Sequence, residues 1–536
     1  MTGISVLGTR LYGAGGLVLP HVNYTTILPE LIVLGGMLFM LGISAMRVRS
    51  FSTQFYAVLT ASIATAALVS SLYLWRDIER HGPFTAIAHS IDIDGFAVFF
   101  LVLVAVILIV SSFVAAGYLR RENIGGCEYY ALALISGSGA MLMASANDLI
   151  LIFLSLEILS IPLYVMAGFD QRREASSEAA MKYFVLGAFS SAIFVYGIAL
   201  TYGATGSTNL ADIAAFLAKN DIVSNGVLLG GLGLMLVGFS FKVAAVPFHM
   251  WTPDVYQGAP SPATGFMGAM AKAGGFAALL RVFVSSFPAL RDDWQPIVWV
   301  LAALTLLVGA LLALVQRDMK RMLAYSSINH AGFILLGLQA VTARGVAGSL
   351  YYLFVYALLV IASFAIVDVI GGKGDTAHDL ASYRGLYQRQ PVLAVVFAVV
   401  LLAQAGIPFT TGFFAKFYVI EASVDAHSYA LAVIAMASAG IATFFYLRVV
   451  FLMFGVQSAN AAVPRHARDE FAGLSPSVGA LDPVLTLTGA DGGTNVALSI
   501  SNWTKLALFL CVAPTVVFGI WAEPIVSFAQ HASLLF

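Results

Sequence analysis

Apolar runs of about twenty residues, each closed by a short polar loop, recur from Ile27 almost to the end of the chain. A hydrocarbon layer ~30 Å thick takes about 20 residues of helix to cross, and a helix pairs its own backbone groups where no water can. The runs lie near 27–46, 54–75, 95–118, 126–146, 148–168, 180–203, 226–248, 261–285, 296–315, 322–341, 346–370, 391–421, 429–455 and 504–528. They predict an all-α polytopic membrane protein of about 14 transmembrane helices. With 60% hydrophobic and 10% charged residues, the chain fits no soluble class.

Loop charge orients the spans. With the N-terminus outside, fourteen arginines and lysines fall in cytoplasmic loops, among them Arg120, Arg121, Arg172, Arg173, Arg317, Lys320 and Arg321. Six fall outside: Arg10, Arg76, Arg80, Lys219, Arg291 and Arg344. That asymmetry is the one the positive-inside rule describes, and it puts both termini outside. A net charge of −1 argues against a nucleic-acid partner. Cys127 and Cys511 stand far apart and outside any CxxC pair, which excludes an iron–sulfur or structural zinc site made by this chain. The first twenty residues lack the basic-then-apolar order of a cleavable signal peptide, so the first span is expected to stay in the membrane. Val456 to Asn502 is long, polar and without a spanning run, and is expected to form a cytoplasmic loop.

Two spans are interrupted. Phe239 to Pro262 reads FSFKVAAVPFHMWTPDVYQGAPSP, with Lys242 inside the apolar run and Pro247 five residues later. A mid-membrane lysine costs about 2.5–3.5 kcal/mol on insertion scales. A proline there removes a helix hydrogen bond, and broken backbone at that depth persists only against protein or a watery cavity. Leu401 to Glu421, LLAQAGIPFTTGFFAKFYVIE, repeats the break at Pro408 and again carries a lysine, Lys416. The loop charges run these two broken helices, the seventh and the twelfth, in opposite directions. Two inverted repeats of five helices would produce that pattern. Lys242 precedes its proline and Lys416 follows its own, so architecture repeats more faithfully than chemistry.

Other ionisable residues fall at mid-depth: Glu157 in the fifth span, Lys272 in the eighth and His330 in the tenth. Packing readings exist for each. Glu157 and Lys242 would serve as a structural ion pair, and His330 as a hydrogen-bonded core histidine. Together with Lys242 and Lys416 they form a set of five whose members have no charged partner in their own helices, and such sets are the material of proton relays. Burial disfavours the charged form of a group and an opposite charge favours it, so a Glu–Lys contact that opens and closes can pass a proton. Glu157 and Lys242 are therefore expected within ion-pair reach. Haem ligation by His249 and His330 is disfavoured, because His249 lies at a helix break. No glycine-rich turn follows a strand, and no strand pattern is evident, so no nicotinamide or flavin site is expected.

The segments FKVAAVPFHMWTPDVYQGAPSP, NDLILIFLSLEILSIPLYVMAGFD, AAMKYFVLGAFSSAIFVYGIALTYGATGSTNL and RDMKRMLAYSSINHAGFILLGL closely resemble the N subunit (subunit 2) family of respiratory complex I, the proton-pumping NADH:quinone oxidoreductase. The resemblance spans about Ile27 to Phe454 plus the last helix. The M- and L-type subunits and the multisubunit cation/proton antiporters share the VPFH break but favour a WLPDA-type continuation, where this chain has WTPDVYQGAPSP. The resemblance implies fourteen helices with two inverted five-helix repeats. It implies that Glu157, Lys242, Lys272 and Lys416 match proton-carrying positions, that Glu128 matches a further glutamate, and that His249 and His330 match histidines of the same motifs. It implies no cofactor in this chain, with FMN, iron–sulfur clusters and quinone in partner subunits. Neighbouring M-type and small K-type subunits, and a bacterial cytoplasmic membrane, are implied too.

The expected divisions are three N-terminal helices over 1–125, repeats over 126–290 and 291–455, the polar loop 456–502 and a last helix within 503–536. Two other readings remain open: a subunit of a multisubunit cation/proton antiporter, and a non-conducting structural membrane subunit.

Overall fold

The computed structural model describes residues 23–46, 51–220, 226–455 and 500–532. The chain opens with α1 Leu28–Ala45, α2 Thr53–His81, α3 Gly95–Glu122, α4 Cys127–Ser145 and α5 Leu149–Ala167. Then come α6 Glu174–Thr205, α7 Leu210–Lys219, α8 Gly226–Val243, α9 Trp251–Gly258 and α10 Ser261–Arg281. The second half holds α11 Arg291–Leu314, α12 Met319–Ala340, α13 Ala343–Gly371 and the single turn α14 Leu386–Arg389. It ends with α15 Pro391–Ala405, α16 Thr411–Asp425, α17 Tyr429–Phe454, α18 Asn502–Ile520 and α19 Glu523–His531.

Short polar side chains start many of these helices. Ser52, Asp94, Asp148 and Asp318 each accept a hydrogen bond from an amide in the first turn of α2, α3, α5 and α12. Such caps satisfy amides that have no carbonyl one turn back. Among the described residues, 11 helices are long and apolar enough to cross a membrane. Three further expected spans fall short for visible reasons. α4 carries Ser136, Gly137, Ser138 and Gly139 in mid-helix, α12 carries Lys320, Arg321, Asn329 and His330, and α15 with α16 is one span cut in two.

Both expected breaks are present. α8 stops at Val243, turns occupy 244–250, and α9 resumes at Trp251. α15 stops at Ala405 and α16 starts at Thr411. Ala244, Gly406 and Phe409 take positive φ of 62°, 87° and 67°, which ends regular helical backbone at each break.

Several expectations needed correction. A small hairpin, β1 Phe84–Ala86 paired with β2 Ile91–Ile93, precedes α3 where no strand was expected; three residues are too few for alternation to register. α6 begins at Glu174, earlier than its apolar run, because its first turns lie among charged loops. α7 was missed: it is a short surface helix capped by Asn209. The last span divides at Trp521 into α18 and α19. Most of the expected polar loop, 456–499, lies outside the described residues.

α10 sits innermost, with every residue buried, and α13 is nearly as enclosed. Polar contacts gather at the two ends of the bundle. At one end Arg121 pairs with Asp368 at 2.7 Å, Arg173 with Asp375 at 3.1 Å and Arg321 with Asp254 at 2.8 Å. At the other, Arg281 pairs with Asp94 at 2.8 Å, and Asn147 and Asn209 both bond the carbonyl of His89 in the hairpin turn.

Candidate functional site

Lys242 occupies the last turn of α8, where unpaired helix carbonyls favour a cation. Its Nζ donates to Ser160 Oγ of α5 at 2.6 Å and lies 5.9 Å from the centre of the Tyr183 ring of α6. Gly275 of α10 makes room for the lysine stem, since a Cβ there would stand 3.2 Å from Lys242 Cγ. Glu157, three residues before Ser160 on α5, accepts a hydrogen bond from Ser191 of α6. Glu157 and Lys242 make no direct salt bridge; each is held by a serine hydroxyl, Ser191 and Ser160, and Ser191 and Lys242 face the same small space between α5, α6 and α8. A cavity of about 10 Å³ bordered by Ser191, Tyr164 and Lys242 has room for about one water.

Lys272 lies midway along the enclosed helix α10. Its Nζ donates to the backbone carbonyl of Ser327 on α12 and stands 5.0 Å from the centre of the Tyr356 ring of α13. Ser327 Oγ is 2.7 Å from Tyr356 Oη and 3.5 Å from Tyr256 Oη. One turn along α12, His330 holds Tyr352 Oη at 2.7 Å through Nδ1 and Tyr446 Oη at 3.1 Å through Nε2. Tyr446 in turn bonds Ser326. One more turn along α12, the Phe333 ring lies 5.1 Å from Lys416 Nζ, which donates to the carbonyl of Ala405 at 2.7 Å. That carbonyl ends α15, so Lys416, like Lys242, sits against the negative end of a helix.

Ser327, His330 and Phe333 share one face of α12 at three-residue steps, a span of about 9 Å. This face meets Lys272 at one end and Lys416 at the other. The structure thus joins Lys272, His330 and Lys416 through α12, and brings Glu157 and Lys242 together across α5, α6 and α8. Glu128 stands apart, exposed in the first turn of α4. His249 lies half-buried in the turn after α8, with Nδ1 buried and without a partner.

Sequence reading missed a buried ionic knot at one end of the bundle. Asp375, in the loop after α13, accepts from Lys320 Nζ at 2.8 Å, Arg173 at 3.1 Å, and the Ser261 amide and hydroxyl at 3.1 and 2.8 Å. His378 Nε2 lies 3.2 Å from its other oxygen. Burial works to raise the Asp375 pKa, but the ammonium of Lys320 and the His378 ring hold it well below the usual carboxylate range. In the sequence Arg173 and Lys320 read as ordinary loop charges, and nothing in their spacing links them to Asp375. Among the described residues, no group of three or more His, Cys, Asp or Glu side chains is placed to hold a metal.

A family model described as NADH:quinone oxidoreductase/Mrp antiporter, transmembrane, matches residues 146–442. NADH-quinone oxidoreductase subunit N of Trichlorobacter lovleyi is 42% identical over 435 residues, 81% of this chain and 88% of its own length. The chain belongs to the subunit N family. Subunit N of Mycobacterium tuberculosis is 41% identical over 421 residues, 78% of this chain and 73% of its own. A chain of Thermus thermophilus respiratory complex I superposes with a TM-score of 0.73 at 30% identity, covering 94% of this chain and all of that one. A chain of the Mrp complex from Dietzia superposes at 0.77 with 19% identity, over 95% of this chain and 97% of that one, a likeness of fold. The family's fold is therefore the antiporter-like, multi-pass membrane fold described above.

Proposed function

We propose that this chain is a proton-translocating membrane subunit of an NADH:quinone oxidoreductase. One observation supports it above the rest: four buried ionisable side chains and the half-buried Glu157 form two linked groups inside an apolar bundle, joined along α10 by Gly275 beside Lys242 and by Lys272 itself. Glu157, Lys242, Lys272, His330 and Lys416 form the relay, with Glu128 at one edge and His249 beside the first break. Protons are taken up at the arginine-rich end, pass Glu157, Lys242, Lys272 and His330, and leave beyond Lys416. Moving one charge against the field costs about 2.3 kcal/mol per 100 mV, so each step depends on groups that gain and lose protons rather than on fixed charges.

The chain makes fourteen crossings in this reading, the three beyond the eleven apolar helices being α4, α12 and the α15–α16 pair. α4 to α10 and α11 to α17 form the inverted repeats, within 126–290 and 291–455. The arginine-rich end faces the cytoplasm of a bacterium and both termini lie outside. FMN, iron–sulfur clusters and quinone belong to partner subunits, with M-type and K-type subunits as membrane neighbours.

Purification of the native complex tests this. NADH-driven quinone reduction is expected to co-purify with the chain and to move protons into vesicles. A chain that purifies without NADH oxidation but exchanges cations for protons would overturn it in favour of the antiporter reading. Relay variants that pump normally whenever they assemble would favour the structural one.

A further inference from the structure

At the end of the bundle away from the arginine-rich loops, a cavity of about 360 Å³ opens beside the hairpin and the end of α10. Its wall includes Asp92, Asp94, Asn147, Arg281 and Ser285. Arg281 is buried, and each of its three nitrogens makes a hydrogen bond. Nη1 and Nη2 bond Asp94 at 3.1 and 2.8 Å, and Nε bonds the Ala144 carbonyl that ends α4 at 2.7 Å. Asp94 also caps α3 through the Ala97 amide at 2.7 Å. Asp94 is thus fully satisfied as an anion, and it neutralises the guanidinium.

Asp92 has what is left. Its Oδ2 lies 3.6 Å from Arg281 Nη1, while its Oδ1 is buried without a hydrogen-bond partner. The side chain keeps 23% of its surface open, so water reaches the carboxyl from the cavity. An ionised oxygen without a donor is costly, and protonation removes that cost. Burial pushes the Asp92 carboxyl up to about 6; Arg281 and His89 pull it down and Asp94 pushes it further up. Among the described residues, no other charge of the packed elements is turned on it: Asp148 caps α5 and takes the Thr208 hydroxyl, and Asp212 of α7 takes Ser207. A five-residue π-turn, Val282–Ser286, follows Arg281 and sets Ser285 in the cavity wall. Such turns recur at functional sites.

Lys272 and Arg281 lie on one helix, nine residues and about 13.5 Å apart along its axis. We infer that Asp92 is a proton-exchange group at the mouth of α10, through which Lys272 releases protons to the side opposite the arginine-rich loops. The step is a plain transfer. The neutral carboxyl gives its proton to cavity water and becomes a carboxylate beside Arg281, and it is reprotonated from the interior. This inference rests on the relay reading, and adds an outlet short of Lys416.

The test uses the assembled complex in vesicles, measuring protons moved per NADH oxidised while the pH on the release side is varied. Wild type is expected to lose transfer as that pH falls below about 6, since Asp92 then stays protonated. D92N is expected to lower the ratio at least about twofold and to abolish that acid limb, and D92E to restore the ratio with an acid limb displaced in pH from that of wild type. If D92N keeps the wild-type ratio and acid limb while K272A stops pumping, the inference falls and the relay stands. If K272A also pumps normally, the relay reading falls and takes the inference with it. Should D92N not assemble, D92E carries the test: its longer stem shifts the carboxyl against Arg281, and an acid limb that does not move overturns the inference.

Discussion

Single hydroxyls and carbonyls hold the charges of this bundle, and each makes a different demand on its lysine. Lys242 is held by Ser160 Oγ, a group that both donates and accepts. A hydrogen bond to a charged group contributes about 1.5–3 kcal/mol, so Ser160→Ala should slow proton transfer about tenfold in an assembled complex. Ser160→Thr, which keeps the hydroxyl, should retain most of it; equal rates in Ser160→Ala and wild type would remove Ser160 from the path. Lys272→Ala should leave assembly nearly intact, since losing the ammonium removes a buried charge, and the Ser327 carbonyl it bonded lies in mid-helix, where the helix itself supplies a donor. Proton transfer per NADH should nonetheless collapse, as measured in vesicles. Lys416→Arg keeps a charge at the end of α15 but supplies a group that does not deprotonate in proteins. It should therefore pump no better than Lys416→Ala; pumping equal to wild type would make Lys416 a fixed charge. The charged members of this set were legible because charge stands out in an apolar run. Their partners were not. Ser160, Ser191, Tyr352 and Tyr446 are unremarkable in sequence, and only packing shows that they face a lysine, a glutamate or a histidine.

At the scale of elements, the breaks and the knot of charge decide what is rigid. Asp375 and Lys320 are both fully buried, and removing one partner of a buried pair costs about 3–5 kcal/mol. Asp375→Asn should therefore lower the yield or melting temperature of the purified complex. The same carboxylate sets an acid limit. Its folded pKa lies below the usual value, so its stabilisation is present above about pH 4 and is lost as pH falls toward that lower pKa. Thermal melts below pH 4 should lose less in Asp375→Asn than in wild type. At the second break, a Cβ on Gly412 would overlap the Ala403 carbonyl oxygen, a backbone atom that cannot swing aside. Gly412→Ala should push α16 off α15 and carry Lys416 from the Ala405 carbonyl, so pumping should fall in any complex that assembles. Both breaks were legible because proline and glycine change what a backbone can do within a few residues. The hairpin and α7 were not, since their order comes from bonds such as Asn147 and Asn209 to the His89 carbonyl, which sequence spacing does not reveal.

Across the whole molecule, burial is distributed very unevenly. In their most apolar stretches, α10 is 100% and α13 94% buried, whereas α1 is 22% and α6 and α17 are 39%. The helix that bears Lys272 therefore touches no lipid at all, and its neighbours stand between it and the acyl chains. Bilayers of shorter or longer lipids act on a membrane protein through hydrophobic mismatch, by tilting or straining the helices they touch. In this fold that strain falls on the outer ring first. Reconstitution across a series of acyl lengths should change how much complex survives, while the protons moved per NADH by each surviving complex hold steady. The enclosed helix is insulated from the membrane it serves, and its chemistry should be indifferent to the thickness of that membrane.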